Sequence, residues 1–192
     1  MVDRPRAGDL LLAGPALVDP NFAGSVVLLV DSDADGALGV ILNRPSPVAV
    51  EEVLPGWGAV ASTPDVVFQG GPVSAEAALA LALCPAGAAL PPGWRTMYDD
   101  RPSGARVGLV DLDADAAVVG AAVTGLRVFA GYAGWGPDQI IDELEEGSWY
   151  VLPSMLGDCF GTGPEGLRER VLRRQTGMLS WVLTKPADPE LN

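Results

Sequence analysis

Phe129-Ala130-Gly131-Tyr132-Ala133-Gly134-Trp135-Gly136-Pro137-Asp138-Gln139 is the stretch on which the fold depends. An apolar run containing Leu126, Val128 and Phe129 reads as a strand leading into it, and three glycines with two aromatics predict a turn before a helix. Glycine allows close backbone approach and accepts positive φ. Pro137 suits the first helical position, where its missing N–H costs nothing. Two large aromatics and Gln139 at such a junction exceed what a connector requires, so the stretch marks either a site or a tight structural corner.

Upstream, residues 25–30 are a continuous β-branched and leucine run, the pattern of a buried strand. Residues 31–36 turn the chain and 37–42 return it as a second strand, a hairpin. Residues 10–13 and 66–69 read as further strands, and 50–54 as at most a short helix. Gly70-Gly71-Pro72 breaks the second of those strands. Ser74 is then expected to cap a helix through residue 83, apolar nearly all round and therefore buried. Residues 94–98 and 107–110 read as strands, with Asp113 capping a short alanine-rich helix. Downstream, residues 137–146 predict a helix with Ile140, Ile141 and Leu144 on one face and Gly147 closing it. A strand over 149–152 and a helix over 167–174 follow. Together these predict an α/β (α+β) fold, a mixed β-sheet with flanking helices, in a single compact domain over residues 10–184. A polar lead (1–9) precedes it and a flexible tail (185–192) follows.

Of the 192 residues, 48% are apolar and 19% charged, the composition of a chain that folds around a core. Net charge is −13, from 25 acidic against 12 basic residues, which opposes direct nucleic-acid binding and reads as solubility. Two cysteines, Cys84 and Cys159, make no disulfide framework and sit among apolar neighbours as buried thiols. No run reaches the roughly 18 apolar residues of a membrane helix. The apolar stretch 10–18 contains Gly14 and Pro15, a poor signal peptide, so no membrane association and a cytoplasmic location are expected.

The chain has no histidine, which removes His-based triads and His-bearing zinc sites. No nucleophile elbow, Walker loop or Cys-x-x-Cys pair occurs, and Gly131, Gly134 and Gly136 lack dinucleotide-fingerprint spacing. No cofactor is expected, and the balance leans away from an enzyme. Asp31-Ser32-Asp33-Ala34-Asp35-Gly36 imitates half a calcium loop, but its twelfth position is Leu42 rather than Glu, so a hairpin turn explains it and no metal is expected.

Four motifs stand in order: Asp19-Pro20-Asn21-Phe22, GALGVILNRP at 36–45, FQGGPV at 68–73 and GYAGWGPDQ at 131–139. Together they resemble the YqgE/AlgH family (the UPF0301, or DUF179, proteins) from about residue 10 to 174. The resemblance implies a bacterial protein of a group whose function is largely unknown, one branch of which carries a label as a transcriptional regulator of alginate synthesis. It also marks Asn43-Arg44-Pro45 as a family hallmark. Relatives often carry a histidine near the Asp31 turn and a tryptophan near Arg168, and this chain has neither.

Arg44 offers a planar fork of donors suited to a carboxylate or phosphate, with Asn43 beside it; the residues alone favour the alternative that Arg44 pairs with a local Asp or satisfies loop carbonyls, and the resemblance raises the ligand reading. The glycine-rich openings at Gly70-Gly71 and at 136–139 present backbone N–H groups of the kind that attract anions. Because the motifs fall at strand ends, Asn21, Asn43, Arg44, Gly70, Gly71, Tyr132, Trp135 and Gln139 are expected to converge on one cleft for a small anionic or polar ligand. Arg168, Arg170, Arg173 and Arg174 read either as a partner contact or as the solvated side of an amphipathic helix. The expected function is non-catalytic ligand or protein-partner binding with a regulatory role. One alternative is a transcriptional regulator acting through a protein partner. Another is an enzyme using Arg44 with carboxylates such as Asp19, Asp138 and Asp142.

Overall fold

Strands β1 (Asp9–Ala13), β2 (Val26–Asp33) and β3 (Gly36–Ile41) are apolar through Leu10–Ala13, Val26–Val30 and Val40–Ile41 because both faces of this part of the sheet are covered. Leu10, Leu12, Val26, Leu28 and Val30 point into one cluster, while Leu11, Ala13, Val27 and Leu29 point into another. Period-two alternation thus divides one hydrophobic run between two cores. The computed structural model describes residues 3–175.

The remaining strands are β4 (Pro45–Ala49), β5 (Val66–Gln69), β6 (Val73–Cys84), β7 (Arg95–Asp99), β8 (Arg106–Val110), β9 (Gly125–Trp135) and β10 (Trp149–Pro153). They form one curled sheet in the order β10-β1-β2-β3-β9-β6-β8-β7, with β4 paired to β5 and β5 to β9. All neighbours are antiparallel except β5 and β9. The curl brings Tyr98 of β7 back to the far side of the molecule, where Ser154 hydrogen-bonds the Gly8 carbonyl and lies 3.5 Å from the Tyr98 hydroxyl. Helices α4 (Leu156–Phe160) and α5 (Leu167–Arg173) cover the inner cluster with Cys159, Leu167, Val171 and Leu172. On the outside, α3 (Gln139–Glu145) lies over the second cluster through Ile140, Ile141 and Leu144. Short α1 (Val50–Val53) and α2 (Ala116–Ala122) contribute Val50 and Val119 to a third. The mixed sheet with flanking helices expected for a single compact domain is what the chain adopts.

Strand β9 holds the molecule together, and the opening stretch of sequence lies within it. The chain does not turn at Gly131; the strand continues to Trp135. Phe129 is opposite Phe68 of β5 on one edge and Leu79 of β6 on the other, and Gly39 of β3 pairs with Ala133 further along. Leu126, Val128 and Ala130 face the third cluster, yet Tyr132 packs on the inner cluster and Ala133 and Trp135 face outward again. Gly131, with φ of +68°, sits where the phase reverses, opposite the bulged stretch of β6 between Val73 and Ala78. A Cβ there would also meet the Val73 carbonyl oxygen at 2.9 Å.

Residues 74–83 are strand, not the expected helix. Leu79, Leu81 and Leu83 alternate with Ala80 and Ala82, so leucines face the inner cluster and alanines the outer one. Alanine's helix propensity is overridden by pairing on both edges, to β8 and β9. Ser74 has φ of +47° and lies in a register shift between Val73 and Ala78 rather than capping a helix. Asp115, not Asp113, caps α2, accepting the Ala117 amide at 2.8 Å. Pro137 precedes α3 instead of opening it. The tail expected over 185–192 lies outside the described residues.

Candidate functional site

Asn43 and Arg44 leave β3 pointing at the loop that carries the first motif. The Asn43 Oδ1 accepts the Val26 amide (2.9 Å), and its Nδ2 donates to the Gly24 carbonyl (3.0 Å). Arg44 donates from Nη1 to the Asn21 carbonyl (2.6 Å) and from Nη2 to the carbonyls of Pro20 and Ala23 (both 3.2 Å). Asp19 accepts the Asn21 amide at 2.8 Å. One guanidinium therefore gathers three carbonyls of a loop that has no regular structure of its own to satisfy them.

The same loop delivers Phe22 to Trp135 and Trp149, with ring centroids at 6.3 and 5.6 Å, while the two indoles stand edge to face at 5.9 Å. Both indole N–H groups donate to Oε2 of Glu143, at 2.9 and 2.8 Å. Gln139 links Oε1 of Glu143 (3.0 Å) to the Gly136 amide (2.9 Å). Glu143 was not among the residues singled out from sequence. Its signal was its place four residues after Gln139 on one helical face, where side chains meet.

Gly70 and Gly71 are glycines because β9 lies directly against them: a Cβ on Gly70 would overlap the Gly131 carbonyl oxygen, and one on Gly71 the Tyr132 backbone. Of the eight expected residues, Asn21, Arg44 and Gly71 line one small cavity of about 90 Å³ with Ile41, Gln69 and Pro72. Asn43 and Gly70 brace its surroundings. Trp135 and Gln139 join the group through Phe22 and Glu143, whereas Tyr132 lies on the opposite face of β9, against the inner cluster.

Gln69 also lines a larger hollow of about 480 Å³. Its walls come from β4 and α1 (Ser46, Val48, Val53, Leu54), from β5 and from Ala77 and Ala78 of β6, with Val128 and Ala130 as floor. Beside it a third hollow of about 520 Å³ runs past the end of β8, sharing Leu54 and Ala78 and reaching Asp111 and Asp113. The two adjoin at Leu54 and Ala78 as a largely apolar groove whose lining also includes Glu76, Asp111 and Asp113.

Several other buried or half-buried polar groups among the described residues are paired within the chain. Cys159 is fully buried, its thiol pushed up to about 12 by burial, and it lies 3.9 Å from the Tyr98 hydroxyl, which burial also raises. Arg127, 2% exposed, sits 4.3 Å over the Phe68 ring and donates to the carbonyls of Thr63 and Gly161; burial lowers it to about 10. On α5, Arg168 donates to the Ala13 carbonyl, Arg170 to that of Gly163, and Arg174 grips Asp158 with two 2.7 Å bonds. Asp138 pairs with Arg4 at 2.7 Å. Among the described residues, no group of three acidic or cysteine side chains is placed to hold a metal ion, and no helix is long and apolar enough to cross a membrane.

A family model described as AlgH-like, DUF179, matches residues 10–180. A UPF0301 protein of Streptomyces coelicolor is 54% identical over 188 residues, spanning 96% of this chain and 94% of its own. One from Mycobacterium tuberculosis is 45% identical over 98% of this chain and 92% of its own. Among solved structures, a protein from Corynebacterium diphtheriae superposes with a TM-score of 0.86 at 29% identity, covering 95% of this chain and 93% of that one. The AlgH protein of Pseudomonas aeruginosa does so with a TM-score of 0.67 at 26% identity, covering 94% of each. The four motifs, the fold and these matches agree: the chain belongs to the AlgH-like DUF179 family of UPF0301 proteins.

Proposed function

We propose that this protein works by binding a protein partner and not by catalysis, exercising a regulatory role through that partner. The observation that carries the reading is how the signature side chains are used. Asn43, Arg44, Gln139 and Glu143 are all hydrogen-bonded within the chain, while the adjoining apolar groove is open. Direct contact with DNA is opposed by the net charge of −13. A groove variant tests the reading. Immobilised wild type is expected to retain a cellular protein that Ala78→Arg loses, with Val18→Arg, on an exposed loop, as the control that keeps it. Identical retention by wild type and Ala78→Arg would contradict it.

A second reading is supported by the small cavity at Asn21, Arg44, Gln69 and Gly71. Arg44 makes no ion pair with a carboxylate among the described residues, and its three bonds to loop carbonyls use one Nη1 and two Nη2 donors, which supports a small anionic or polar ligand meeting the guanidinium's remaining N–H groups without displacing the loop. A thermal-shift series with nucleotides, sugar phosphates and small carboxylates tests this. The expected result is a rise in melting temperature for wild type that Arg44→Lys reduces.

A further inference from the structure

The outer face of β5, continued by the glycines after it, runs past both cavities that Gln69 lines. Val67 and Gln69 line the 480 Å³ hollow, and Gln69 and Gly71 line the 90 Å³ cavity beside Arg44. Alternate residues of an extended chain share a face. The two spaces therefore follow one another along a single track of roughly 13 Å, at about 3.3 Å per residue from Val67 to Gly71. The Gln69 side chain stands where they meet. It is exposed and has no hydrogen bond among the described residues, since only the Gln69 backbone amide bonds the Arg44 carbonyl. Its amide is thus free to turn toward either space and to donate there.

The two ends of the track differ in chemistry. At the small end Arg44 uses three donors on the carbonyls of Pro20, Asn21 and Ala23, which leaves Nε–H and one N–H of Nη1. No carboxylate pairs with it among the described residues. At the large end the walls are apolar, with Val48, Val53, Leu54, Val67, Ala78 and Val128. The charged residue in that lining, Glu76, comes from β6 and is exposed. Apolar walls with polar groups at a few fixed points are the usual form of a small-molecule site. One planar guanidinium matches a carboxylate. A doubly charged phosphate is disfavoured beside a single cation in a protein of net charge −13.

Resting on the ligand reading above and not on the partner reading, we propose that Arg44, Gln69 and the 480 Å³ hollow form one site for a free monocarboxylic acid with an unbranched apolar chain of medium length. The carboxylate meets the remaining N–H groups of Arg44 and the Gln69 amide. The chain lies along Val67 toward Val53 and Val128. Each methylene that leaves water for this hollow tightens binding about fourfold.

The test is a titration of isotope-labelled full-length protein with acetate, hexanoate, octanoate and decanoate, each below its micelle concentration, followed by NMR. Decyltrimethylammonium, with a matching chain and the opposite charge, is the control. From hexanoate to decanoate the dissociation constant is expected to fall about fourfold per methylene. Decanoate shifts the Arg44 Nε–H, the Gln69 side-chain amide and the methyls of Val48, Val53, Val67 and Val128, and decyltrimethylammonium binds at least about tenfold more weakly. Two variants separate the ends of the site. Arg44→Lys weakens every acid, whereas Ala78→Phe, at an exposed position, fills the hollow and removes the chain-length dependence while acetate binds as before. Acetate binding at Arg44 with no gain from hexanoate to decanoate would overturn the proposal and leave the small-ligand reading standing. Absence of any shift at Arg44 with all four acids would overturn both. Equal binding of decyltrimethylammonium, or undiminished decanoate binding by Ala78→Phe, would overturn the proposal because the chain would then bind without the two ends acting together.

Discussion

Glu143 satisfies two buried indole N–H groups with one carboxylate oxygen. Glu143→Ala is therefore expected to leave both donors unpaired and cost about 3 kcal/mol, since each buried unsatisfied group costs roughly 1–3. Thermal unfolding checks the cost, and a red shift of tryptophan emission locates it. A residue-scale prediction also follows for alkaline pH. The Cys159 thiol is held at about 12 in the fold against an ordinary value of 9.0, because burial penalises the thiolate. Its contribution to stability is full below pH 9 and is lost as pH rises through 12. Tyr98, raised from 10.0, adds to the loss from pH 10, whereas Arg127, lowered to about 10, acts in the opposite sense around that pH. Between pH 9 and 10 Cys159 contributes a loss of stability, opposed by the lowered Arg127 and Arg168. Denaturant unfolding across that range should show a smaller loss for Cys159→Ala; an unchanged slope would remove the thiol from the account.

At the scale of elements, β9 depends on a glycine whose φ of +68° reverses the side-chain phase between Ala130 and Tyr132. Gly131→Ala strains that backbone and presses a methyl on the carbonyls of Gly71 and Val73, so a loss of at least about 1–3 kcal/mol is expected by denaturant unfolding. An unchanged midpoint would mean the glycine is not needed. This element also marks the limit of what the sequence makes legible. The hairpin of β2 and β3 was readable because its β-branched runs are bracketed by an aspartate-rich turn. The glycines of 131–136 signalled close backbone approach correctly, but a phase reversal within a strand and a turn between elements use the same residues. In β6, alanine propensity hid a leucine–alanine alternation that only pairing on both edges makes decisive. Of the residues expected to converge, Asn21, Arg44 and Gly71 share a small cavity, whereas Tyr132 lies on the opposite face of β9, because the phase reversal at Gly131 is invisible in sequence. That Arg44 would reach three loop carbonyls was one of two readings open in sequence, and tertiary contact alone distinguishes them. Gln69, which lines both cavities, stood inside a quoted motif with no local feature to set it apart.

At the scale of the molecule, one sheet curls around an inner cluster and carries two outer clusters, so each motif serves as a joint between them. The first motif's loop is tied by Arg44 to the end of β3 and by Phe22 to the second cluster, and Gly70-Gly71 presses β5 against β9. The groove beside β6 is built on that frame without drawing on its polar groups. The residues that hold the fold are thus distinct from those that line the groove. The most direct measurement is thermal unfolding of Arg44→Ala beside Ala78→Arg. Loss of three carbonyl partners is expected to cost Arg44→Ala about 2–3 kcal/mol, a fall of roughly 6 °C for a chain this size, while Ala78→Arg stays within about 1 °C of wild type. Wild-type stability in Arg44→Ala would contradict the account, because the guanidinium would then be free for a ligand and the frame would have to be held by something else.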